Sequence, residues 1–370
     1  MPGGGGALPT ALVIDLGSDT CRAGCAGEEA PQAVLPSPPL LGTELGAAAA
    51  GWDADTVEAL LGSSLAVAGV GGSSPSSRPR PPLLLSEPNA QCRRLREVLA
   101  ELLFESFAAP AVSLAGSAVL DTFSFGRTSA VVADVGAALS SVALIYEGQA
   151  LPKHLKERPY AGRALDAALL EALQAQCVKV VGGASQCRPP FYPAMRLAQD
   201  LKETVCWCSP APQTGQRLAP YLHTLPDGQQ VDVAAFSQRL PEALLVGEEG
   251  GGANSFPGVP ALLAESLAEA PQTGASAAVA AATGDVLLVG GSSLFVNFQS
   301  RLEAALAERL ASQPHAAVAG APQRVKVQAC KERRHAAWLG GSICASSGIM
   351  ASRWASRTDY EEHGASVFEL

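Results

Sequence analysis

The chain has 370 residues, the length of about two domains, and 48% of them are hydrophobic while only 16% are charged. This composition indicates a globular protein with large buried cores. The formal net charge of -9 at pH 7 argues against the clustered basic surface that nucleic-acid binding requires, so nucleic acid is not an expected partner.

Residues 1–6 contain neither the basic region nor the apolar core of a signal peptide, and no apolar run approaches the ~20 residues of a membrane helix. We therefore expect a soluble, cytoplasmic protein without a membrane span. The nine cysteines lack the paired spacing of a zinc site, which indicates free buried thiols. Cys21 with Cys25, and Cys206 with Cys208, are the alternative ligand or redox pairs.

The first predicted element is a strand over residues 11–14 that ends in Asp15 and Gly17, followed by strand-like sequence over 21–36. Glycine lets the backbone approach a phosphate oxygen, and a carboxylate at a strand end can hold the water shell of a divalent cation. A simple turn-forming role explains an isolated Asp-x-Gly sequence equally well.

The stretch 42–82 is rich in Ala, Gly, Ser and Pro, and it predicts little ordered structure. Order resumes with an apolar strand over 83–87. An amphipathic helix follows, with apolar residues at helical spacing from Leu95 to Phe107, and a second helix is predicted over 117–125.

The Asp-x-Gly motif then recurs at the end of a second predicted strand. Residues 130–133 run into Asp134 and Gly136, and strand-like sequence continues over 139–152. More than a tripeptide is repeated, which indicates an internal duplication. Two such strand ends can clamp the phosphate tail of a nucleotide from two sides.

The remaining elements alternate between helices and strands, which predicts an α/β fold. A second low-complexity stretch covers 247–283. The predicted elements in this half are helices over 164–175, 196–206, 259–268 and 295–310, a strand over 285–289, and turns at 225–229 and 290–291.

The order of these landmarks resembles the actin, Hsp70 and sugar-kinase ATPase superfamily. Within it, residues 11–18 and 23–37 resemble the opening of an actin, and the chain is similar to a divergent member of the actin family. Further actin-like blocks lie at 84–87, 104–107, 124–128, 146–148, 200–203, 225–228, 241–244, 290–291, 338–346 and 354–364.

The resemblance implies a duplicated, actin-like α/β ATPase fold with two lobes around a nucleotide cleft. Residues 1–125 and 336–370 would form the outer lobe, with 42–82 as a reduced DNase-loop subdomain. Residues 126–335 would form the inner lobe, with 247–283 as a low-complexity insertion.

The resemblance also implies ATP or ADP as ligand, with Mg²⁺ or Ca²⁺ held through water by Asp15 and Asp134. Arg22 stands where the family has a phosphate-contacting lysine, and Phe295 and Arg334 replace a tyrosine and a lysine beside the base. A plain surface or turn role stays open for the charged and glycine members of this set. The matching positions are Asp15, Gly17, Ser18, Arg22, Asp134, Gly136, Gly162, Lys202, Glu203, Gly290, Gly291, Phe295 and Arg334.

Several positions depart from the family pattern in ways that change the chemistry. Asp19 places a carboxylate where the first phosphate loop has a glycine, facing a polyphosphate's negative oxygens. Ala137 and Ala138 replace an aspartate and a glycine, and Ser141 replaces a histidine near the attacking water. Ser117 replaces the water-orienting glutamine, and its side chain is too short to substitute for glutamine there.

We therefore expect a structural or adaptor protein of the cytoskeleton, within a cytoskeletal or actin-related complex, with a degenerate nucleotide cleft and no catalytic residues. The alternatives are an active ATPase or small-molecule kinase of the same superfamily, and a pocket without nucleotide. The low content of bulky apolar residues in 42–82 and 247–283 predicts no conventional self-assembled filament.

Overall fold

The structure is a computed structural model of the chain. Its described residues are 10–37, 54–67, 80–90, 93–176, 194–210, 219–225, 228–234, 236–248, 255–269, 284–312, 325–349 and 351–368. The chain forms two compact units. Unit 1 falls within Met1–Val132, Ala143–Leu155 and Cys330–Leu370, and unit 2 within Ala133–Val142 and Lys156–Ala329. The lobe boundaries expected from the family resemblance stay a prediction.

The strands are short, and most are rich in apolar or β-branched residues. They are β1 (Leu12–Leu16), β2 (Thr20–Cys25), β3 (Ala33–Pro36), β4 (Leu83–Glu87), β5 (Ala111–Gly116), β6 (Ala130–Val135), β7 (Ser140–Tyr146), β8 (Gln149–Ala150), β9 (Lys156–Arg158), β10 (Leu222–Thr224), β11 (Gln230–Asp232), β12 (Asp285–Val289), β13 (Lys326–Gln328) and β14 (Ala355–Ser356).

The α-helices alternate with these strands along the chain. They are α1 (Ala54–Val67), α2 (Arg93–Glu101), α3 (Ser117–Ser124), α4 (Gly162–Ala175), α5 (Ala194–Val205), α6 (Arg239–Val246), α7 (Val259–Glu269), α8 (Phe298–Ser312), α9 (Ala336–Ser347) and α10 (Arg357–His363). A π-helical segment, Leu102–Ser106, follows α2 directly.

The internal duplication predicted from the sequence is confirmed by the order of strands in the two larger sheets. One sheet has the order β3-β2-β1-β4-β5, with β14 added beyond β5, and the other has the order β8-β7-β6-β12-β13. The strand that ends in the Asp-x-Gly motif holds the third place in both. In each sheet the last two strands of that order run parallel, β4 with β5 and β12 with β13.

Contiguous apolar runs were the most informative sequence signals. The predicted strands over 83–87 and 285–289 coincide with β4 and β12, and the helix predicted over 259–268 is α7. The turn predicted over 225–229 joins the antiparallel strands β10 and β11, although residues 226 and 227 lie outside the described residues.

The prediction that 42–82 contains little ordered structure is wrong for helix α1. Val57, Leu61 and Leu65 recur every four residues along this helix and are buried in the core, where the helix packs against β2 and β3. Alanine and serine dilute this apolar stripe in the sequence, so composition concealed it. Residues 42–53, 68–79, 249–254 and 270–283 of the two low-complexity stretches lie outside the described residues.

Helix α9 explains the small residues of segment 338–346 by its packing. A Cβ built on Gly340 would lie 1.7 Å from the Leu120 carbonyl oxygen of α3, and one on Gly341 would lie 2.7 Å from Val13 Cγ1. The fully buried Trp338 donates its indole N–H to the Val13 carbonyl oxygen over 3.1 Å. The two helices therefore meet backbone to backbone, which only glycine permits here.

Candidate functional site

Asp15 and Arg22 face each other across the first hairpin. They are direct partners in the antiparallel register of β1 and β2, and Arg22 Nη1 lies 2.7 Å from Asp15 Oδ2. Their side chains are only 9% and 11% exposed, respectively. The carboxylate that was predicted to hold a cation is thus already paired with a cation of the chain itself.

The other polar atoms of this pair also bond within unit 1. Asp15 Oδ1 accepts a hydrogen bond from Ser86 Oγ at 2.6 Å. Arg22 Nη2 donates to Thr20 Oγ1 at 2.9 Å, and Arg22 Nε donates to His335 Nδ1 at 2.8 Å. All three guanidinium nitrogens are therefore used by protein atoms.

His335 accepts from Arg22, so its Nδ1 carries no proton. Burial lowers the pKa of His335 from its ordinary value, and the positive charges of Arg22 and Arg334 lower it further, opposed by the negative charge of Asp15. The neutral imidazole is the form that fits this hydrogen bond.

Gly17 forms the turn that follows Asp15. A Cβ at this position would lie 2.6 Å from the Thr20 carbonyl oxygen, so the tight hairpin requires glycine. Ser37 closes the turn from the next strand, donating its hydroxyl to the Gly17 carbonyl oxygen at 2.7 Å and its N–H to the Asp19 carbonyl oxygen at 2.8 Å. Ser18 and Asp19 are half-buried.

The second Asp-x-Gly turn is bound to the start of helix α4. The Gly136 carbonyl oxygen accepts from the Gly162 N–H at 3.2 Å and from Ser292 Oγ at 2.7 Å. The Ala137 carbonyl oxygen accepts from the Arg163 N–H at 2.7 Å. A Cβ on Gly162 would lie 2.5 Å from Ser292 Oγ, so a side chain there would displace this hydroxyl from the Gly136 carbonyl oxygen.

Lys202 projects from helix α5 toward the same turn. Its Nζ donates to the Gly162 carbonyl oxygen at 3.0 Å and lies 2.6 Å from Asp166 Oδ1 of α4. Both charged side chains are buried. The neighbouring Glu203 is exposed and accepts from Gln199 Nε2 at 3.4 Å.

Gly290 brings the end of β12 against Asp134. It has a φ of +90°, and a Cβ there would lie 2.3 Å from Asp134 Oδ1. Gly291 begins a 3₁₀ turn, Gly291–Leu294. Phe295 follows this turn, is buried, and has its ring centroid 6.4 Å from that of Phe298.

The structure thus gathers the predicted residues into two sets. In unit 1, Gly17 and Ser18 form the turn beside the Asp15 and Arg22 pair, and Arg334 lies in the 3₁₀ turn Arg333–His335. The members in unit 2 that lie close together around the second turn are Asp134, Gly136, Gly162, Lys202 and Gly290.

Sequence reasoning missed the supporting residues Ser86, His335, Asp166 and Ser292. Asp166 carried a usable signal, because it lies in the first turn of the helix predicted over 164–175, four residues after Gly162. No signal in the sequence indicated the other three residues, because each contacts a distant part of the chain. These contacts are Ser86 with Asp15, Ser292 with Gly136, and His335 with Arg22.

Two of the altered family positions also have defined surroundings. Ser117 Oγ lies 3.2 Å from Asn89 Oδ1, which also accepts from the Ala118 N–H at 2.9 Å and so caps the start of α3. Ser141 is buried, and it pairs with Glu157 in the register of β7 and β9.

A cation held through water at the first turn would have to share Asp15 with donors of the chain itself. Both carboxylate oxygens of Asp15 have protein donors, and one of these donors carries a positive charge. No cluster of three or more His, Cys, Asp or Glu side chains suited to a metal ion occurs among the described residues. Within the same residues, no helix combines the length and the apolar character needed to span a membrane.

The sequence model of the actin family matches residues 53–370. The chain belongs to the actin family. It is 27% identical to actin-related protein 4 of Arabidopsis thaliana, over 99% of this chain and 99% of that protein. It is 29% identical to actin-related protein 4 of Oryza sativa subsp. indica, over 78% of this chain and 70% of that protein. It is 30% identical to actin-like protein 9 of Rattus norvegicus, over 77% of this chain and 65% of that protein.

Proposed function

We propose that this actin-family chain is a structural or adaptor component of a cytoskeletal or other actin-related assembly in the cytoplasm. Nucleotide, where bound, serves as a structural ligand and is not hydrolysed. The observation that carries the proposal is the environment of Ser117, which occupies the position where the family resemblance places a water-orienting glutamine.

The Ser117 hydroxyl is engaged with Asn89 at 3.2 Å, at the start of α3. Phosphoryl transfer to water depends on holding the nucleophile in line with the transferred phosphate. A short hydroxyl that donates to Asn89 lacks the reach with which a glutamine amide holds a water. Ala137 and Ser141 likewise supply no charged or basic group at the two further altered positions.

A nucleotide that binds only the native state would stabilise it, by an amount that grows with the logarithm of the free nucleotide concentration once this exceeds Kd. The hydrogen bond from the Gly162 N–H to the Gly136 carbonyl oxygen, and the close approach of Gly290 to Asp134, support a retained second phosphate turn. The same contacts favour the second candidate, an ATPase or small-molecule kinase. Asp19 in the first turn supports the third, a pocket without nucleotide, because its charge repels phosphate.

One experiment separates the three candidates. The purified chain is denatured and the released adenine nucleotide is quantified, and phosphate release from ATP is followed with Mg²⁺ present. Nucleotide without turnover supports the proposal. Turnover supports the enzyme, and absence of both nucleotide and turnover supports the empty pocket.

Self-assembly is tested by sedimentation after addition of salt and ATP. We expect the chain to stay in the supernatant while a conventional actin, run in parallel, enters the pellet. Sedimentation of most of the chain would contradict the proposed adaptor role and favour a filament subunit.

A further inference from the structure

We propose that Arg22 is a permanent internal counter-ion of Asp15, which takes the place of a divalent cation at the end of β1. The inference concerns the proposed nucleotide site, and it rests on the proposed function insofar as the ligand is a nucleotide. The ion pair itself, in which the chain neutralises its own carboxylate, involves residues of unit 1 alone.

The pair is built into the hairpin register. Asp15 and Arg22 are directly opposed across β1 and β2, so their side chains leave the sheet on the same face. With Arg22 Nη1 at 2.7 Å from Asp15 Oδ2 and both side chains about nine-tenths buried, the attraction acts where solvent screens it weakly. A divalent cation at the same carboxylate would be repelled by the guanidinium.

Arg22 is also held in place from its other two nitrogens. Thr20 Oγ1 accepts at 2.9 Å and His335 Nδ1 accepts at 2.8 Å. A turn of the guanidinium toward a phosphate would break these two bonds and expose the buried Asp15 charge. The planar fork of arginine can hold all three partners at once, which a lysine amine cannot do in the same geometry.

The other carboxylate oxygen of Asp15 also accepts a hydrogen bond from the protein. Ser86 donates its hydroxyl to Asp15 Oδ1 at 2.6 Å, and the Ser86 oxygen accepts in turn from the Leu16 N–H at 3.0 Å. A cation-bound water would have to share this oxygen with the serine hydroxyl. The carboxylate therefore has donors on both sides before any ligand arrives.

The duplication supplies an internal comparison. Arg22 follows Asp15 by seven residues, and the residue that follows Asp134 by seven is Ser141, which carries no charge. The position of the second copy that corresponds by spacing to Arg22 is therefore uncharged. Any response of the chain to a divalent cation is expected to depend on Asp134 and not on Asp15.

The test compares the thermal unfolding midpoint of the full chain in EDTA, in Mg²⁺ and in Ca²⁺. For the native chain, we expect any upward shift with cation to persist in Asp15→Asn and to be lost in Asp134→Asn. Arg22→Gln should unfold several degrees lower than the native chain in EDTA, and it should regain part of that loss when Mg²⁺ or Ca²⁺ is added.

Two further variants keep the test decisive. Arg22→Lys retains a positive charge opposite Asp15 and should respond to cations as the native chain does. The double variant Asp15→Asn with Arg22→Gln removes both charges and should lose the new cation response. If Arg22→Gln does not fold, the persistence of the native cation response in Asp15→Asn decides the question.

Opposite results overturn the inference. A native cation response that Asp15→Asn abolishes would show that Asp15 holds the ion, and an Arg22→Gln protein indifferent to cations would remove the counter-ion role. Absence of released nucleotide, with the cation behaviour as expected, would overturn only the proposed function. Bound nucleotide that EDTA strips only when Asp15 is present would overturn only this inference.

Discussion

Lys202 Nζ lies 2.6 Å from Asp166 Oδ1 and 3.0 Å from the Gly162 carbonyl oxygen, and both charged side chains are buried. The pair ties helix α5 to the start of helix α4, where the second Asp-x-Gly turn is also bound. Removal of one partner leaves a buried charge without compensation, and removal of both does not.

Lys202→Met is therefore expected to lower the free energy of unfolding by about 3–5 kcal/mol. The double variant Lys202→Met with Asp166→Asn should lose clearly less than the sum of the two single variants, because it leaves no buried charge. Urea unfolding of all four proteins measures the coupling. Additive losses would show that the two side chains act independently.

The neutral state of His335 makes stability depend on pH. Because its pKa is lowered in the folded chain and is about 6.5 when unfolded, the unfolded state binds the proton more tightly. The contribution of His335 to stability should be constant above that value and should be lost as the pH drops through it toward the folded pKa. The His335→Asn variant keeps an acceptor for Arg22 without a titrating group, so its unfolding midpoint should fall less on acidification. Matching pH profiles for the two proteins would contradict this assignment.

Gly290 is expected to tolerate no side chain. Gly290→Ala would place an alanine at a φ of +90° with its Cβ 2.3 Å from Asp134 Oδ1. Backbone strain and overpacking together should lower the free energy of unfolding by about 2–4 kcal/mol. Gly284→Ala, at the start of the same strand, meets no atom within 4 Å and is the matched control. Differential scanning calorimetry compares the two, and equal midpoints would refute the close approach.

Two helical glycines should respond to alanine with opposite signs. Gly340→Ala drives a methyl group into the Leu120 carbonyl oxygen and should destabilise by about 1–3 kcal/mol or more. Gly62→Ala in α1 finds its nearest neighbour at 3.9 Å and should stabilise by about 0.5–1 kcal/mol. Chemical unfolding gives both values, and a stable Gly340→Ala protein would contradict the packing of α9 on α3.

The buried thiols should resist alkylation in the native state. Burial raises the pKa of Cys21, Cys206, Cys208 and Cys344 to about 12, and the thiolate is the reactive form. Mass spectrometry after brief iodoacetamide treatment should find these four unmodified and the half-buried Cys25 modified. Labelling in denaturant provides the control, and rapid native labelling of Cys206 or Cys208 would contradict their burial.

The sequence predicted the fold well where apolar runs were continuous, as in β4 and β12, and where the Asp-x-Gly repeat marked the duplication. It failed at α1, whose stripe of Val57, Leu61 and Leu65 is interrupted by small residues. The pairing of Asp15 with Arg22 could have been predicted, because the tight turn lies midway between them and the hairpin register opposes them. The roles of His335 and Ser86 could not, because only the tertiary fold brings them to that pair.

Glycine positions in this chain have reasons to persist that involve no ligand. Gly340 is held by the approach of two helices and Gly162 by the Ser292 hydroxyl, so mutation at either is costly even in a protein that never meets ATP. Glycines of this kind therefore identify a shared fold between two sequences. They do not indicate whether either protein still binds or hydrolyses a nucleotide.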